Sequence, residues 1–232
     1  MINLKTVLLA IPISLATTSA RAVIIDFIDL IEKPGGYGES AWETLTLTYP
    51  DFTVDIIGTA SDDNDAQQYA YLDWRNAGLG VCKDLLSGAA AGQTNPGSGS
   101  NLCDPSSDDN TTIEEAIHFV FNVDVIVQNV WFNNNHDGGF GGGDKVNIEG
   151  TAYSVSTGYA GDANGIGAFS VAMNSPFDIA YENEQFYISA MEIIRGPQRQ
   201  FLQLSVPEPA TLFLMGIGLA GLGFARRRRL NA

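Results

Sequence analysis

The chain has 232 residues, with 12 Lys+Arg against 27 Asp+Glu and a formal charge of −15. An excess of that sign disfavours nucleic acid and anionic lipid as partners. Disorder, the other outcome for an acidic chain, is opposed by a hydrophobic fraction of 45% and an aromatic fraction of 10%, enough for a packed core.

Residues 1–22 carry one early lysine, Lys5, an apolar run over 7–16, and Ala20-Arg21-Ala22 at the end. A charged start, an apolar stretch too short to span, and an A-x-A site predict a signal peptide cut after Ala22, with Ala20 as the competing position.

The following residues read as short strands with almost no helix. Residues 23–30 are apolar with spaced acids. Residues 44–49 alternate, with Leu45, Leu47 and Tyr49 on one face and threonines on the other; 52–57 follow a Pro-Asp turn. Residues 68–74 place Tyr69 and Tyr71 on one face, Leu72 and Trp74 on the other. Residues 113–121 align Ile113, Ile117, Phe119 and Phe121, with Glu115 interrupting that face. Residues 123–132 follow a short turn at Asn122 and suggest a hairpin. Further runs cover 145–149, 151–156, 168–173, 177–181, 185–194 and 201–206. Period-2 runs separated by Gly, Asn, Asp and Pro predict an all-β fold, an antiparallel β-sandwich of jelly-roll-like kind.

Cys82 and Cys103 flank a loop rich in Gly, Ser, Ala and Asn. Two cysteines in an exported chain most simply form one disulfide. Beyond it stand hard oxygen donors: Asp104, Asp108, Asp109 and Glu114 or Glu115, a candidate calcium set. The run Asp62-Asp63-Asn64-Asp65 is a second, weaker one. Neither has EF-hand spacing, and Asp and Asn also serve as plain turn formers.

Catalytic signals are sparse. His118 falls on the polar side of its strand, and His136 lies in Asn133-Asn134-Asn135-His136-Asp137, a turn composition. No nucleophile-elbow, zinc-protease or phosphate-loop motif occurs. A glycosidase carboxylate pair stays open without any pair being selected. Trp42, Trp74 and Trp131 are possible sugar platforms, and core aromatics are the default reading for each.

The chain closes with Val206-Pro207-Glu208-Pro209-Ala210, fifteen uncharged residues (211–225), and Arg226, Arg227, Arg228 and Arg229. As a helix the apolar run reaches about 22 Å, short of a hydrocarbon core of about 30 Å. The arginines would stay cytoplasmic and the preceding chain outside.

That order resembles the PEP-CTERM sorting tail of Gram-negative bacteria, the substrate signal of the membrane protease exosortase. The resemblance implies a temporary stop in the inner membrane, cleavage near Pro207-Glu208-Pro209, and release or transfer of the body to the cell surface. An uncut tail anchor is the alternative. PEP-CTERM systems accompany exopolysaccharide production, so exopolysaccharide is the implied partner. Gly78-Leu79-Gly80-Val81, then Asp108-Asp109-Asn110, Glu114/Glu115 and Ile117-His118-Phe119, and later Phe186-Tyr187-Ile188-Ser189-Ala190, resemble a pattern of PEP-CTERM ectodomains.

The chain thus divides into a signal peptide (1–22), a secreted β-sandwich (23–205) and a sorting signal (206–232). Without its ends, 23–206 carries a charge of about −20, which favours cations. The expected role is a non-enzymatic surface or matrix protein of the exopolysaccharide layer. The rivals are a calcium-dependent carbohydrate-binding module and a secreted hydrolase.

Overall fold

The computed structural model describes residues 21–61 and 66–196. The apolar part of the signal peptide, the acidic run 62–65, the expected strand 201–206 and the sorting tail lie outside the described residues. Those described belong to one compact unit, Met1–Pro197.

Strand β1 (Ala22–Asp26) is followed by the short helix α1 (Phe27–Glu32). The apolar stretch over 23–30 therefore does not continue as a strand, as its composition suggested. Asp26 caps the helix, its side chain accepting from Asp29 N at 2.9 Å, and Pro34-Gly35-Gly36 follows its end. Phe27 and Ile31, four apart, are the helix's buried pair.

The remaining strands are β2 (Ser40–Trp42), β3 (Leu45–Thr48), β4 (Thr53–Ala60), β5 (Ala66–Asp73), β6 (Gly78–Cys82), β7 (Glu115–Phe121) and β8 (Val125–Asn133). After these come β9 (Lys145–Ile148), β10 (Thr151–Ser154), β11 (Phe169–Val171), β12 (Pro176–Tyr181) and β13 (Tyr187–Arg195). All their pairings are antiparallel, and they join into one sheet of order β10-β9-β12-β7-β4-β5-β6-β13-β8-β11; β1 adds to β13, β2 to β5 and β3 to β4. It is a curled, half-barrel sheet.

The curl is visible at β5. Its first residues pair with the end of β4, Gly58 facing Gln68, while Ala70–Leu72 pair on that side with β2 instead. A Cβ on Gly58 would meet the Tyr69 carbonyl oxygen at 2.9 Å, so the bend needs a residue without one. Far along the path, Tyr153 of β10 packs on Phe169 of β11 (ring centroids 5.7 Å), and Phe169 on Phe177 of β12 (5.3 Å). Opposite ends of the sheet thereby meet around one core that includes Val54, Ile56, Phe119, Phe121, Val127 and Ile193.

Two expectations are corrected by this topology. Residues 113–132 do not form a hairpin: β7 pairs with β4 and β12, whereas β8 pairs with β13 and β11. Asn122 binds Thr53 rather than closing a turn between β7 and β8, its Oδ1 accepting from Thr53 N at 2.7 Å. Ile113 precedes β7 and is 62% exposed, while Glu115 occupies the inward position and is buried.

The Cys82–Cys103 disulfide forms as expected. Its loop covers the second face of β5 and β6, where Ala41, Tyr71, Cys82, Leu102 and Cys103 make a small second core. This is why Tyr71 and Leu72, on opposite faces of one strand, are both fully buried. At the chain's start, Ala22 is the first residue of β1, paired with Ile194. A cut after Ala20 would leave that strand whole.

Candidate functional site

Three strands present polar termini at one rim of the sheet. Asp73 closes β5, Tyr187 opens β13 and Asn133 closes β8; Tyr187 pairs with Asn133, Asp73 with Gly78, and the neighbouring Leu79 with Ile188. A 3-10 turn, Asn135–Asp137, follows β8 and carries His136 and Asp137 to the same place. The loop beyond the disulfide supplies the rest. Thr111 and Phe186 exchange backbone hydrogen bonds (2.8 and 3.2 Å), which fixes Asp109 and Asn110 beside Tyr187.

The resulting cluster is rich in carboxylates. Tyr187 donates its hydroxyl to Asp109 Oδ1 at 2.7 Å, and Asn101 donates its amide to Asp109 Oδ2 at 2.6 Å. His136 Nδ1 lies 3.1 Å from Asp73 Oδ2 and 3.4 Å from the Tyr187 hydroxyl. Asp137 Oδ2 accepts from Asn110 Nδ2 at 3.1 Å. Behind them Tyr71 donates to Glu39 Oε1, and Trp74 N donates to Glu39 Oε2 at 3.2 Å. Asp73, Asp109 and Glu39 are buried; His136 and Asp137 face solvent.

Burial disfavours the charged forms. It pushes the Asp73 carboxyl up to about 9, helped by the charges of Asp109 and Glu39. It raises Glu39 and Asp109 too, the latter partly offset by its hydrogen bonds from Tyr187 and Asn101. The Tyr187 hydroxyl is held protonated by burial and by the neighbouring carboxylates, and is therefore fixed as a donor.

Of the four predicted calcium donors, the structure places only Asp109 in this cluster. Asp104 and Glu114 are exposed, and Asp108 Oδ2 accepts from Lys83 N at 3.1 Å. Among the described residues, the trio whose ligand atoms all lie within 4.8 Å of one another is Asp73, Asp109 and His136. Glu115, the other choice beside Glu114, instead accepts from Thr112 N (2.6 Å) and Thr112 Oγ1 (2.9 Å). Asp73 was not singled out by the sequence, although an acid following Tyr69 and Tyr71 in the same alternation was a usable sign.

A family model for the PEP-CTERM protein-sorting motif matches residues 205–229. The chain carries a PEP-CTERM sorting signal. Such a signal is recognised by exosortase and marks an exported protein with a membrane-anchored precursor. No curated protein and no solved structure matches the chain.

The stretches Gly78–Val81, Asp108–Asn110 and Phe186–Ala190, singled out in the sequence, meet in the structure. Gly78-Leu79-Gly80-Val81 lies in β6, with both faces buried. A Cβ on Gly80 would run into the carbonyl oxygen of Asp109 and come within 2.8 Å of Asn110 Cα. The glycine lets the Asp109–Asn110 backbone lie directly on the strand, and Tyr187, from the last of these stretches, then reaches Asp109.

His118 makes a different arrangement. Its Nδ1 is 2.6 Å from Asp178 Oδ1 and its Nε2 is 2.6 Å from Thr59 Oγ1. The order resembles an acid–base–hydroxyl relay, but all three sit side by side on the paired strands β12, β7 and β4. Thr59 is flanked by Ala116 on one side and Gln67 on the other, within the ladder of β7, β4 and β5. The trio is a polar ladder across the sheet surface. Among the tryptophans, Trp131 is buried with Nε1 donating to Asp162 O at 2.8 Å, whereas Trp42 borders a shallow groove.

Proposed function

We propose that this chain is an exported, exosortase-processed protein of the cell surface or extracellular matrix, non-enzymatic and associated with exopolysaccharide. The carrying observation is the sorting motif at 205–229 downstream of a disulfide-linked β domain. A disulfide suits the oxidising side of the membrane. In this reading the curled sheet is a variant of the jelly-roll-like sandwich, a scaffold that presents surface loops to a matrix. The test is fractionation of cells producing the natural chain and a Glu208→Ala chain. Cleaved protein outside the inner membrane, replaced by uncut membrane-bound precursor in the variant, supports the proposal. A natural chain that stays uncut in the membrane overturns it.

Carbohydrate recognition is the second reading, favoured by one feature. Trp42, held edge-on by Tyr37 (5.4 Å), borders a groove of about 350 Å³ with Glu43, Thr44 and Gly92. An aromatic face beside hydrogen-bonding groups suits a pyranose ring. Co-sedimentation with the producing cell's exopolysaccharide should fall sharply in Trp42→Ala; equal binding by both proteins rejects the groove as the sugar site.

A further inference from the structure

We propose that Asp73, Asp109 and His136 hold a divalent first-row transition ion, of the Zn²⁺ or Mn²⁺ kind, with Asp137 on its outer side. The ligand atoms of the trio already lie within 4.8 Å of one another. A carboxylate–imidazole donor set suits these ions, whereas calcium favours oxygen alone.

A second observation points to a missing partner. Asp73 is only 3% exposed, yet its Oδ2 accepts no hydrogen bond, although His136 Nδ1 is 3.1 Å away. Buried polar atoms are normally satisfied. Asn110, next in sequence to Asp109, repeats the pattern: its amide donates to Asp137 while its Oδ1 has no hydrogen-bond partner.

The donor set agrees: the carboxyl groups of Glu39, Asp73, Asp109 and Asp137 gather here, and His136 is a basic side chain in contact with them among the described residues. Tyr187 and Asn101 orient the Asp109 carboxylate and leave it lone pairs to spare, as outer groups around bound metals do. Exposed His136 and Asp137 give the ion a route in from solvent. The inference shares Asp109 with the calcium set expected from sequence and replaces its other members. It stands whether or not the chain is exported.

The experiment uses the full chain, purified in mild detergent and stripped with EDTA. Zn²⁺, Mn²⁺ and Ca²⁺ are titrated calorimetrically, and Co²⁺ is followed by its visible absorption. The expected result is one tight Zn²⁺ or Mn²⁺ per chain and a Tm rise of roughly 5–10 °C at about 100-fold Kd. His136→Gln, at an exposed position, should fold normally and weaken Zn²⁺ binding at least about tenfold, with a changed Co²⁺ spectrum. Asp73→Asn should do the same, and Asp104→Asn should not. If Asp73→Asn fails to fold, His136→Gln decides alone. No bound ion, or an ion bound equally well by the His136→Gln chain, overturns the assignment. So does a Ca²⁺ response that depends on Asp104.

Discussion

Tyr187 and Asp109 stand 78 positions apart in sequence and meet through a 2.7 Å hydrogen bond in the buried part of the rim. The bond ties the loop beyond the disulfide to the first residue of β13. Tyr187→Phe keeps the ring and removes the donor, leaving a buried carboxylate oxygen short of one partner. The expected cost is about 1–3 kcal/mol in metal-free urea unfolding. An unchanged unfolding midpoint would mean that the loop is held by its other bonds, those to Phe186, Lys83, Asn101 and Asp137.

Reduction of Cys82–Cys103 frees a loop closed over a sequence separation of 21. The chain-entropy estimate for such a loop is about 3 kcal/mol. The loop also covers Tyr71, so opening it exposes the small second core and the Leu102 N donor to the Tyr71 hydroxyl (2.9 Å). Urea unfolding with and without reductant should differ by at least that estimate. A double Cys→Ala chain that matches the oxidised protein would show that the loop is held without its crosslink.

Most strand positions were legible because their causes are local, whereas β2 and β6 were not: β2 has only three residues, and β6 contains glycine and is buried on both faces, so no alternation marks it. Leu45 and Leu47 alternate with Thr46 and Thr48, and they are buried and exposed in that order. The Asp26 cap and the Phe27/Ile31 spacing were also on the page, though apolar composition masked them. Pairing was not legible. Nothing around Asn122 shows that β7 and β8 belong to distant parts of the sheet, since their partners come from β4, β12 and β13. The rim cluster was hidden for the same reason: Asp73, Asp109, His136 and Tyr187 come from four segments. Inside its Asn-rich run His136 looks like an ordinary turn residue, and only β13 between β6 and β8 brings it to Asp73.

Glu115 should make stability depend on pH. It is buried, its Oε1 lacks a hydrogen bond, and Lys83 Nζ is 3.8 Å away. Burial pushes its carboxyl from 4.5 up to about 7, against the pull of the Thr112 hydrogen bonds. Below the lower value both native and unfolded chains hold the proton. Between the two values the native state keeps it and the unfolded state releases it, so stability falls as pH rises through this window. Above about 7 the loss is complete, at roughly 3 kcal/mol. Glu115→Gln keeps an acceptor for Thr112 and cannot ionise. Its stability relative to the parent should therefore improve from pH 4 to pH 8 by about that amount. Parallel pH profiles for the two chains would assign the dependence to other groups.

Gly80 is the most informative single position in the β6 motif. Its backbone lies against the Asp109–Asn110 peptide, and an added methyl group would meet main-chain atoms that cannot rotate away. Gly80→Ala must push the loop off the strand, an overpacking cost of about 1–3 kcal/mol. Gly142 is the control: nothing lies within 4 Å of its notional Cβ. Gly142→Ala should be neutral to about 0.5 kcal/mol. Because Asp109 moves with the displaced peptide, Gly80→Ala should also weaken Zn²⁺ binding. Calorimetry on the two alanine variants tests both effects in the same samples. Loss of stability with undiminished Zn²⁺ affinity would separate the motif's packing role from the rim cluster. Loss of both would make the glycine the residue through which β6 positions Asp109.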